Sequence, residues 1–161
     1  MYEPSGIPPF IVSDSIPQDR PIITAAVVPY TSQNEVVMFR HENGLIEFLG
    51  GHIETGESIE EAVRREAIEE GGVILGDKLH MVGYLVFSGL TPSYNPLYVS
   101  KSERFVPIPD GTESRGRLVF PASEVIGAIS SAPDHKWQRR HVEMMTAALA
   151  AIQRVVTGAA S

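Results

Sequence analysis

The sequence predicts a compact α/β domain, and two observations lead to that class. Apolar, β-rich runs that are typical of strands alternate with segments that show helical periodicity and helix-capping residues. The chain has 161 residues, of which 43% are hydrophobic, a length and composition typical of one globular unit with its own core. No apolar stretch approaches the roughly 18 residues of a membrane-spanning helix, so we expect no membrane partner.

Charge and cysteine content exclude several classes of function. The chain carries 20 acidic and 13 basic residues, a formal net charge of −7, which disfavours stable binding to nucleic acid or to an anionic membrane. It contains no cysteine, so disulfides, thiolate metal sites and cysteine nucleophiles are excluded. Without cysteine, and without a secretory signal pattern at the N-terminus, a cytoplasmic location is expected.

The N-terminal segment, residues 1–21, is rich in proline. Five of the twelve prolines of the chain fall in it, and proline opposes both helices and central strands. We therefore expect an extended arm without regular secondary structure, followed by a single domain over residues 22–161. Such an arm could reach a neighbouring chain, so a homodimer is a possible assembly.

Apolar patterns and turn residues place the strands of the domain in order. Strands are predicted over 22–30, 35–40, 45–49, 80–90 and 97–108. Turns or loops are predicted over 31–34, 43–44, 50–51, 91–96 and 110–117. The first strand is apolar throughout, so we expect both of its faces to be buried.

Three helices are predicted between and after these strands. The clearest spans Ser58–Glu70, because Ser58 and Glu61 form a capping box at its start and two glycines follow its end. A short helix is predicted over 121–129. A long final helix, capped by Asp134, carries an apolar stripe on which His141 is expected to be a core histidine.

The first of these helices carries carboxylates where packing alone would place apolar side chains. Residues 54–70 contain seven Glu and two Arg, a net charge of −5. On a helical wheel, Glu66 and Glu70 fall in the middle of the apolar stripe and Glu69 flanks it. A solvated acidic face, the usual explanation of a run of charges, does not account for that placement.

Carboxylates placed in this way need a positive partner, because burying an unpaired charge is costly. Arg65 is placed to pair with one of them and cannot neutralise three. We therefore predict a divalent cation. Because the ligands would be oxygen atoms, without Cys and without a nearby pair of His, the hard ions Mg²⁺ or Mn²⁺ are favoured.

The segment from Gly51 to Val73 resembles the signature of the Nudix hydrolase family, G-x5-E-x7-R-E-U-x-E-E-x-G-U, where U is aliphatic. The seven fixed positions are occupied by Gly51, Glu57, Arg65, Glu66, Glu69, Glu70 and Gly72. Ala67 and Val73 occupy the aliphatic positions, and Leu49 stands where many members have Pro. The resemblance implies the Nudix fold, a mixed β-sheet sandwiched between α-helices.

The resemblance also implies an activity, which is hydrolysis of the pyrophosphate linkage in a nucleoside diphosphate joined to another group, with Mg²⁺ or Mn²⁺ as cofactor. The implied metal ligands are Glu66, Glu69, Glu70 and the carbonyl oxygen of Gly50. Arg65 is expected to orient a glutamate, and Glu57 to fix the loop or to act as an outer ligand.

The general base and the residues that contact the substrate are not fixed by the motif. The general base is either Glu66 or a carboxylate of the later loop, and among Glu103, Asp110 and Glu113 we favour Glu113. His52 is a candidate for contact with phosphate. The aromatic residues that could stack on a base are Phe48, Tyr84, Phe87, Tyr94 and Tyr98. Phe48 is also expected in the core, and Tyr94, in its predicted loop, is the better candidate.

Two other functions compete with hydrolysis. A non-catalytic nucleotide-binding or regulatory domain could use the same fold, although such domains often lose the carboxylates that are all present here. The isomerase branch of the family uses a cysteine, which this chain lacks. Nucleoside triphosphates, nucleotide sugars and dinucleotides all remain open as substrates, and the small size favours a nucleoside triphosphate. The proline that the ADP-ribose branch often carries after the motif is missing, since Phe87 and Ser88 stand there.

Overall fold

The structure is a computed structural model that describes residues 6–132 and 135–158. The strands within these residues are β1 (Phe10–Val12), β2 (Thr24–Tyr30), β3 (Glu35–His41), β4 (Ile46–Glu47), β5 (Leu49–His52), β6 (Val73–Leu75), β7 (His80–Phe87), β8 (Ser93–Phe105) and β9 (Ser114–Pro121). The helices are α1 (Ile59–Gly71), α2 (Val125–Ser131) and α3 (Gln138–Thr157). Of the described helices, none has the length and apolar content needed to cross a bilayer.

The strands form a mixed sheet, and its pairing brings the glycine-rich strand β5 beside the central strand β2. The main path through the sheet is β1-β7-β8-β2-β3-β4. β2 runs parallel to β8, whereas β7 and β8 are antiparallel. The first residues of β2 pair with β5, and its last residue, Tyr30, lies opposite Val36 of β3. β5 also lies against α1.

Both faces of the sheet are covered by helices, as the α/β/α prediction requires. Successive residues of β2 alternate between two cores, because strand side chains point to opposite faces in turn. Val27 packs in the core that includes Val63 of α1. Val28 packs in the core that includes Met145 of α3. Both valines are fully buried, so the prediction that this strand is buried on both faces is confirmed.

Two predictions in the first half of the chain are wrong in detail, and one strand was not predicted. The arm is not without regular structure, since β1 pairs with β7 at the edge of the sheet, where proline-rich neighbours are tolerated. The two glycines 50–51 do not break the chain, because they pair with Ala26 and Ala25 inside β5. β6 was not predicted, and its three residues are too few to show a period.

Three further differences lie in the second half. β8 begins at Ser93 and pairs with β7 from there, so the predicted loop over 91–96 is partly strand. The predicted loop over 110–117 is strand from Ser114, because the sheet edge beside β3 exposes one face of β9 and accepts polar residues there. The short helix begins at Val125. The predicted cap Asp134 lies outside the described residues.

His141 lies in the core, as predicted. It is 7% exposed, and its ring packs edge-on against Phe48, with 5.2 Å between the ring centroids. Trp137 and His135 also contact the ring. Burial, with a smaller contribution from the charge of His135, lowers the pKa of His141 to about 4.

We expect His141 to make the fold sensitive to acid. Its folded-state pKa lies below the ordinary value of 6.5, so below pH 6.5 the unfolded chain binds a proton that the folded chain does not. The contribution of His141 to stability is therefore complete above that value and is lost as the pH falls, by about 2 kcal/mol between pH 7 and pH 5. Urea unfolding at both pH values checks this. The change in unfolding free energy between the two pH values should differ by that amount between wild type and His141→Phe, and an equal change in both proteins would contradict the prediction.

Candidate active site

The helix α1 is fixed at both ends by its own sequence. At its start, Ser58 Oγ accepts a hydrogen bond from the Glu61 amide at 3.0 Å, and Glu61 Oε1 accepts one from the Ser58 amide at 3.0 Å. At its end, Gly72 adopts the left-handed conformation with φ of 60°, which glycine reaches without strain. The predicted capping box and glycine stop are therefore confirmed.

The carboxylates of α1 lie on and beside the face that packs on the sheet. Val63 and Ala67 of this face are fully buried. Glu70 is only 7% exposed, and the side chain of Glu66 is 13% exposed. The side chain of Glu69 is 40% exposed. Two carboxylates thus sit partly inside the protein, where the helical wheel placed them.

Arg65 contacts several carboxylates around the cavity rather than one partner. Its Nε and Nη2 donate to the two oxygens of Glu57 at 2.7 and 3.0 Å. Its Nη1 donates to Glu66 at 2.9 Å and to Glu69 at 3.1 Å. Nη2 also donates to the carbonyl of His52 at 3.0 Å. The guanidinium therefore joins the loop before α1, the end of β5 and two carboxylates of the helix.

These contacts and the degree of burial lower the pKa of one carboxylate, Glu57, and raise the pKa of two others, Glu66 and Glu70. The hydrogen bonds from Arg65 lower the pKa of Glu57 to about 2, and those bonds in turn raise the pKa of Arg65. Burial raises the pKa of Glu66 despite its contact with Arg65. Burial, and then the charges of Glu66 and the later-loop residue Glu113, raise the pKa of Glu70 to about 8, against the opposing hydrogen bond from Gly50.

Two glycines let the backbone of β5 approach this cluster. The Gly50 amide donates to Glu70 Oε1 at 2.7 Å. A Cβ atom at Gly50 would lie 2.4 Å from the Ala25 carbonyl oxygen, and one at Gly51 would lie 2.7 Å from Glu66 Oε1. Any larger residue would therefore displace the strand or the carboxylate. In the structure Gly50 meets Glu70 through its amide, and metal binding by its carbonyl stays a prediction.

The cluster opens into a cavity of about 560 Å³. Its described lining comprises Gly50, Gly51, His52, Glu54, Arg65, Glu66, Glu69 and Glu70 together with Pro109, Asp110, Gly111, Thr112 and Glu113. Two of the three later-loop candidates for the general base, Asp110 and Glu113, therefore reach the same space as α1. Glu103, the third, lies near Gly76 and is not among the lining residues.

The aromatic candidates are placed elsewhere. Phe48 is 9% exposed and packs in the core with His141. Tyr94 lies in β8 rather than in a loop, so that part of the prediction is wrong. Its ring is 7% exposed, and its hydroxyl donates to Asp19 at 2.7 Å. Neither residue is among the described lining of the acidic cavity, and contact with a substrate base stays a prediction for both.

The donor set of the cavity fits a hard divalent cation without forming a closed cage. Among the described residues, no three His, Asp or Glu side chains are arranged as a complete metal cluster. Mg²⁺ usually keeps several waters and takes one or two protein carboxylates plus substrate phosphates, so such a cage is not required. Glu66, Glu69 and Glu70 place carboxylate oxygens beside one cavity, where they could bind such an ion, and Arg65 is the arginine among the described residues that line it.

Two residues of β9 that the sequence did not indicate hold the end of α1. Ser114 Oγ donates to the Glu70 carbonyl at 2.7 Å. Arg117 Nη1 donates to the carbonyls of Gly71 and Gly72 at 2.9 and 3.2 Å, which is the favourable position for a cation at a helix C-terminus. The apolar run Leu118-Val119-Phe120 was the available signal for β9; the predicted loop ends at Arg117, and no strand is predicted after it.

We expect Arg117→Met to lower the free energy of unfolding by about 1–2 kcal/mol, since the helix end loses charged hydrogen bonds and its dipole partner. Methionine keeps most of the side-chain stem. Arg115→Met is the matched control, because the contacts of Arg115 lie on the exposed surface. They are an ion pair with Glu42 at 3.3 Å, a class worth little, and two long hydrogen bonds to the carbonyls of Thr112 and Ser114 at 3.4 Å. Urea denaturation of wild type, Arg117→Met and Arg115→Met gives the comparison. Equal stability of the two variants would show that Arg117 does not stabilise the end of α1.

The chain belongs to the NUDIX domain family, whose model matches residues 20–145. Local similarity to two enzymes accompanies that match. One is the ADP-ribose pyrophosphatase of Escherichia coli, 39% identical over 57 residues, which are 35% of this chain and 27% of that enzyme. The other is the oxidized purine nucleoside triphosphate hydrolase of Danio rerio, 50% identical over 38 residues, 24% of either chain. The similarity thus spans about a quarter of each relative.

Solved structures share the fold over a larger part of the chain. A variant of the Bacillus subtilis pyrophosphohydrolase BsRppH aligns with a TM-score of 0.60 and 24% identity, covering 70% of both chains. The NUDIX domain of Shewanella oneidensis NrtR, determined in complex with ADP ribose, aligns with a TM-score of 0.60 and 19% identity, covering 82% of this chain and 90% of that one. The predicted Nudix fold is confirmed.

Proposed function

We propose that this protein is a divalent-metal-dependent pyrophosphohydrolase that cleaves the diphosphate linkage of a nucleoside diphosphate joined to another group. One observation carries the proposal. Glu66, Glu69 and Glu70 of α1 line a single cavity together with Glu113 of the loop over 109–113, inside a Nudix domain. Membership of the family and the local similarity to two hydrolases support it.

In this proposal the residues of α1 bind and orient the metal ions. Glu66 and Glu70, with Glu69, would hold Mg²⁺ or Mn²⁺. Arg65, which is itself held by Glu57, donates hydrogen bonds to Glu66 and Glu69 and would keep these two carboxylates oriented. Divalent cations, when bound there, offset the charge of the diphosphate and lower the pKa of a bound water. Without the positive charge of such cations, the acidic cavity would repel the negatively charged substrate.

The later loop would supply the remaining groups. Glu113 lines the cavity and is the favoured acceptor of the proton from the attacking water. His52, exposed at the end of β5 and lining the same cavity, would contact a phosphate group. Bond breaking between phosphorus and the bridging oxygen then gives two phosphorylated products, such as a nucleoside monophosphate and pyrophosphate or a sugar phosphate.

A substrate panel tests the proposal. ADP-ribose, a nucleotide sugar, a dinucleoside polyphosphate, and ordinary and oxidized purine nucleoside triphosphates should be assayed with Mg²⁺ and with Mn²⁺. The two enzyme relatives favour ADP-ribose and oxidized purine triphosphates as the first candidates. Release of a nucleoside monophosphate that stops in excess EDTA is the expected result. Undiminished turnover in EDTA would exclude metal dependence.

The second candidate function is nucleotide binding without hydrolysis. It is favoured by one finding, the fold shared with the NrtR domain that was determined with ADP ribose. Saturable binding of one panel compound, with no turnover of any in either metal, would support this alternative and contradict the first. The full set of motif carboxylates favours hydrolysis.

The assembly and the location stay predictions. The arm packs on its own chain, since β1 pairs with β7 and Arg20 donates to the Phe87 carbonyl at 2.9 Å. Light scattering of the full chain, and of a chain without residues 1–20, would show whether a homodimer forms and whether the arm contributes to it.

A further inference from the structure

Glu113 is linked through its side chain to a histidine of the neighbouring β-turn. Glu113 Oε2 lies 3.0 Å from Nε2 of His41, the last residue of β3. The two residues are 72 positions apart in the chain. Glu113 lines the acidic cavity, whereas His41 is not among its described lining residues, so any influence of His41 on the cavity would pass through Glu113.

The surroundings of His41 determine which ring nitrogen carries the proton. Nδ1 lies 3.0 Å from the backbone amide of Asn43, which donates to it. A nitrogen that accepts a hydrogen bond from an N–H group carries no proton of its own. The neutral ring therefore carries its proton on Nε2 and donates it to Glu113 Oε2.

The turn that holds this ring is fixed by its own hydrogen bonds. The His41 amide donates to the Leu45 carbonyl, and the Gly44 amide donates to the His41 carbonyl, both at 2.8 Å. The Leu45 amide donates to Asn43 Oδ1 at 2.9 Å. A bulge in the pairing of β3 with β9, between Phe39 and His41, accompanies this arrangement, and bulges commonly redirect a side chain next to an active site.

The same turn also holds the backbone of Glu113, since the Glu42 amide donates to the Glu113 carbonyl at 2.8 Å. The side chain of Glu113 is 65% exposed. An exposed glutamate samples several rotamers, and confining it to one costs side-chain entropy. Within residues 6–132 and 135–158, its other oxygen, Oε1, accepts no hydrogen bond from a protein group. The histidine thus fixes one oxygen and leaves the other available.

We propose that His41 is a positioning residue that holds the Glu113 carboxylate so that its free oxygen accepts a proton in the hydrolytic reaction. The inference rests on the proposed function. In that step the water oxygen bonds to phosphorus, the proton of the water passes to Glu113 Oε1, and the bond from phosphorus to the bridging oxygen breaks. The electron pair of that bond leaves on the bridging oxygen.

A double-mutant cycle with His41→Phe and Glu113→Gln tests this role. Alone, Glu113→Gln should lower kcat by about 100-fold or more, as loss of a general base does, and His41→Phe should lower kcat about tenfold with little change in KM. In the Glu113→Gln background, His41→Phe should have no further effect. Equal effects of His41→Phe in both backgrounds would show that it acts independently of Glu113 and would overturn the proposal.

Two further variants separate positioning from general damage. His41→Gln, whose terminal amide can still donate near the former Nε2, should recover most of the activity, and a loss as large as in His41→Phe would contradict the inference. His80→Phe makes the same change in β7, away from the acidic cavity, and should leave kcat unchanged. Thermal unfolding of all variants shows that the fold is retained.

Nitrogen NMR of His41 provides a readout that needs no turnover. The expected tautomer is protonated on Nε2, and that proton signal should move in Glu113→Gln. A proton on Nδ1, or a signal indifferent to Glu113, would overturn the inference even in an active enzyme. If the wild type hydrolyses no compound of the panel, the proposed function fails and with it the catalytic role, while the NMR result still reports whether the hydrogen bond exists.

Discussion

Replacing Glu70 or Glu66 with Gln is expected to lower kcat/KM about a thousandfold with the best substrate of the panel. Glutamine has nearly the same shape but cannot supply a charged oxygen to a divalent cation, so the electrostatic stabilisation that the cation brings to the transition state is lost. Both residues lie next to the glycine strand, Glu70 through the amide of Gly50 and Glu66 beside Gly51. Steady-state kinetics over a range of Mg²⁺ concentrations gives the measurement.

Glu60→Gln is the matched control for these variants. Glu60 lies on the same helix, but its side chain is 60% exposed and pairs with Arg64, and it is not among the described residues that line the cavity. Its kcat/KM should remain within about twofold of wild type, as for most exposed substitutions away from a site. Activity of Glu70→Gln equal to that of Glu60→Gln would mean that the buried carboxylate does not serve the reaction.

The second large effect is expected from Arg65→Lys. A lysine keeps the charge but cannot reproduce the paired hydrogen bonds to Glu57 together with those to Glu66 and Glu69. The loop before α1, the end of β5 and the helix would lose their common partner. We expect the free energy of unfolding to fall by about 2 kcal/mol and kcat/KM to fall about 100-fold. Denaturant unfolding and steady-state kinetics measure the two effects.

The neighbouring residue offers the control for this change. Arg64 points to Glu60 and to the carbonyls of Leu75 and Asp77, with distances of 3.1–3.3 Å, and it does not line the cavity. Arg64→Lys should therefore leave kcat/KM close to wild type. Equal losses in both variants would indicate that any arginine of α1 is needed for the fold alone.

The features that the sequence predicts well are local ones. The capping box of α1, its glycine stop and the placement of two carboxylates on the buried face follow from spacings of three to seven residues. The bulk of β2 was also predictable, because its apolar residues are continuous. These features carry most of the candidate site.

The features that were missed depend on contacts between distant parts of the chain. β9 reads as a loop because Arg115 and Gly116 are polar or flexible, and only its pairing with β3 makes it a strand. The hydrogen bond from His41 to Glu113 joins residues 72 positions apart. For the same reason Tyr94 could not be assigned, since its partner Asp19 lies in the arm.

Even within the motif, the sequence predicts only part of the contacts that Arg65 makes. Its spacing from Glu69 predicts one ion pair, and the structure adds Glu57 and Glu66. The contact with Glu57 arises because the loop before α1 folds back towards the helix, with Glu57 accepting from the Glu54 amide at 2.9 Å. Loop conformation of this kind is set by tertiary packing more than by local sequence.

The central claim is that the acidic face of α1 binds a divalent cation, and a titration with Mn²⁺ followed by electron paramagnetic resonance tests it most directly. The account predicts saturable loss of the free Mn²⁺ signal with wild type and with Glu60→Gln, displacement by Mg²⁺, and no saturable binding by the double variant Glu66→Gln/Glu70→Gln. Binding of the double variant equal to that of wild type, or no saturable binding by wild type, would contradict it.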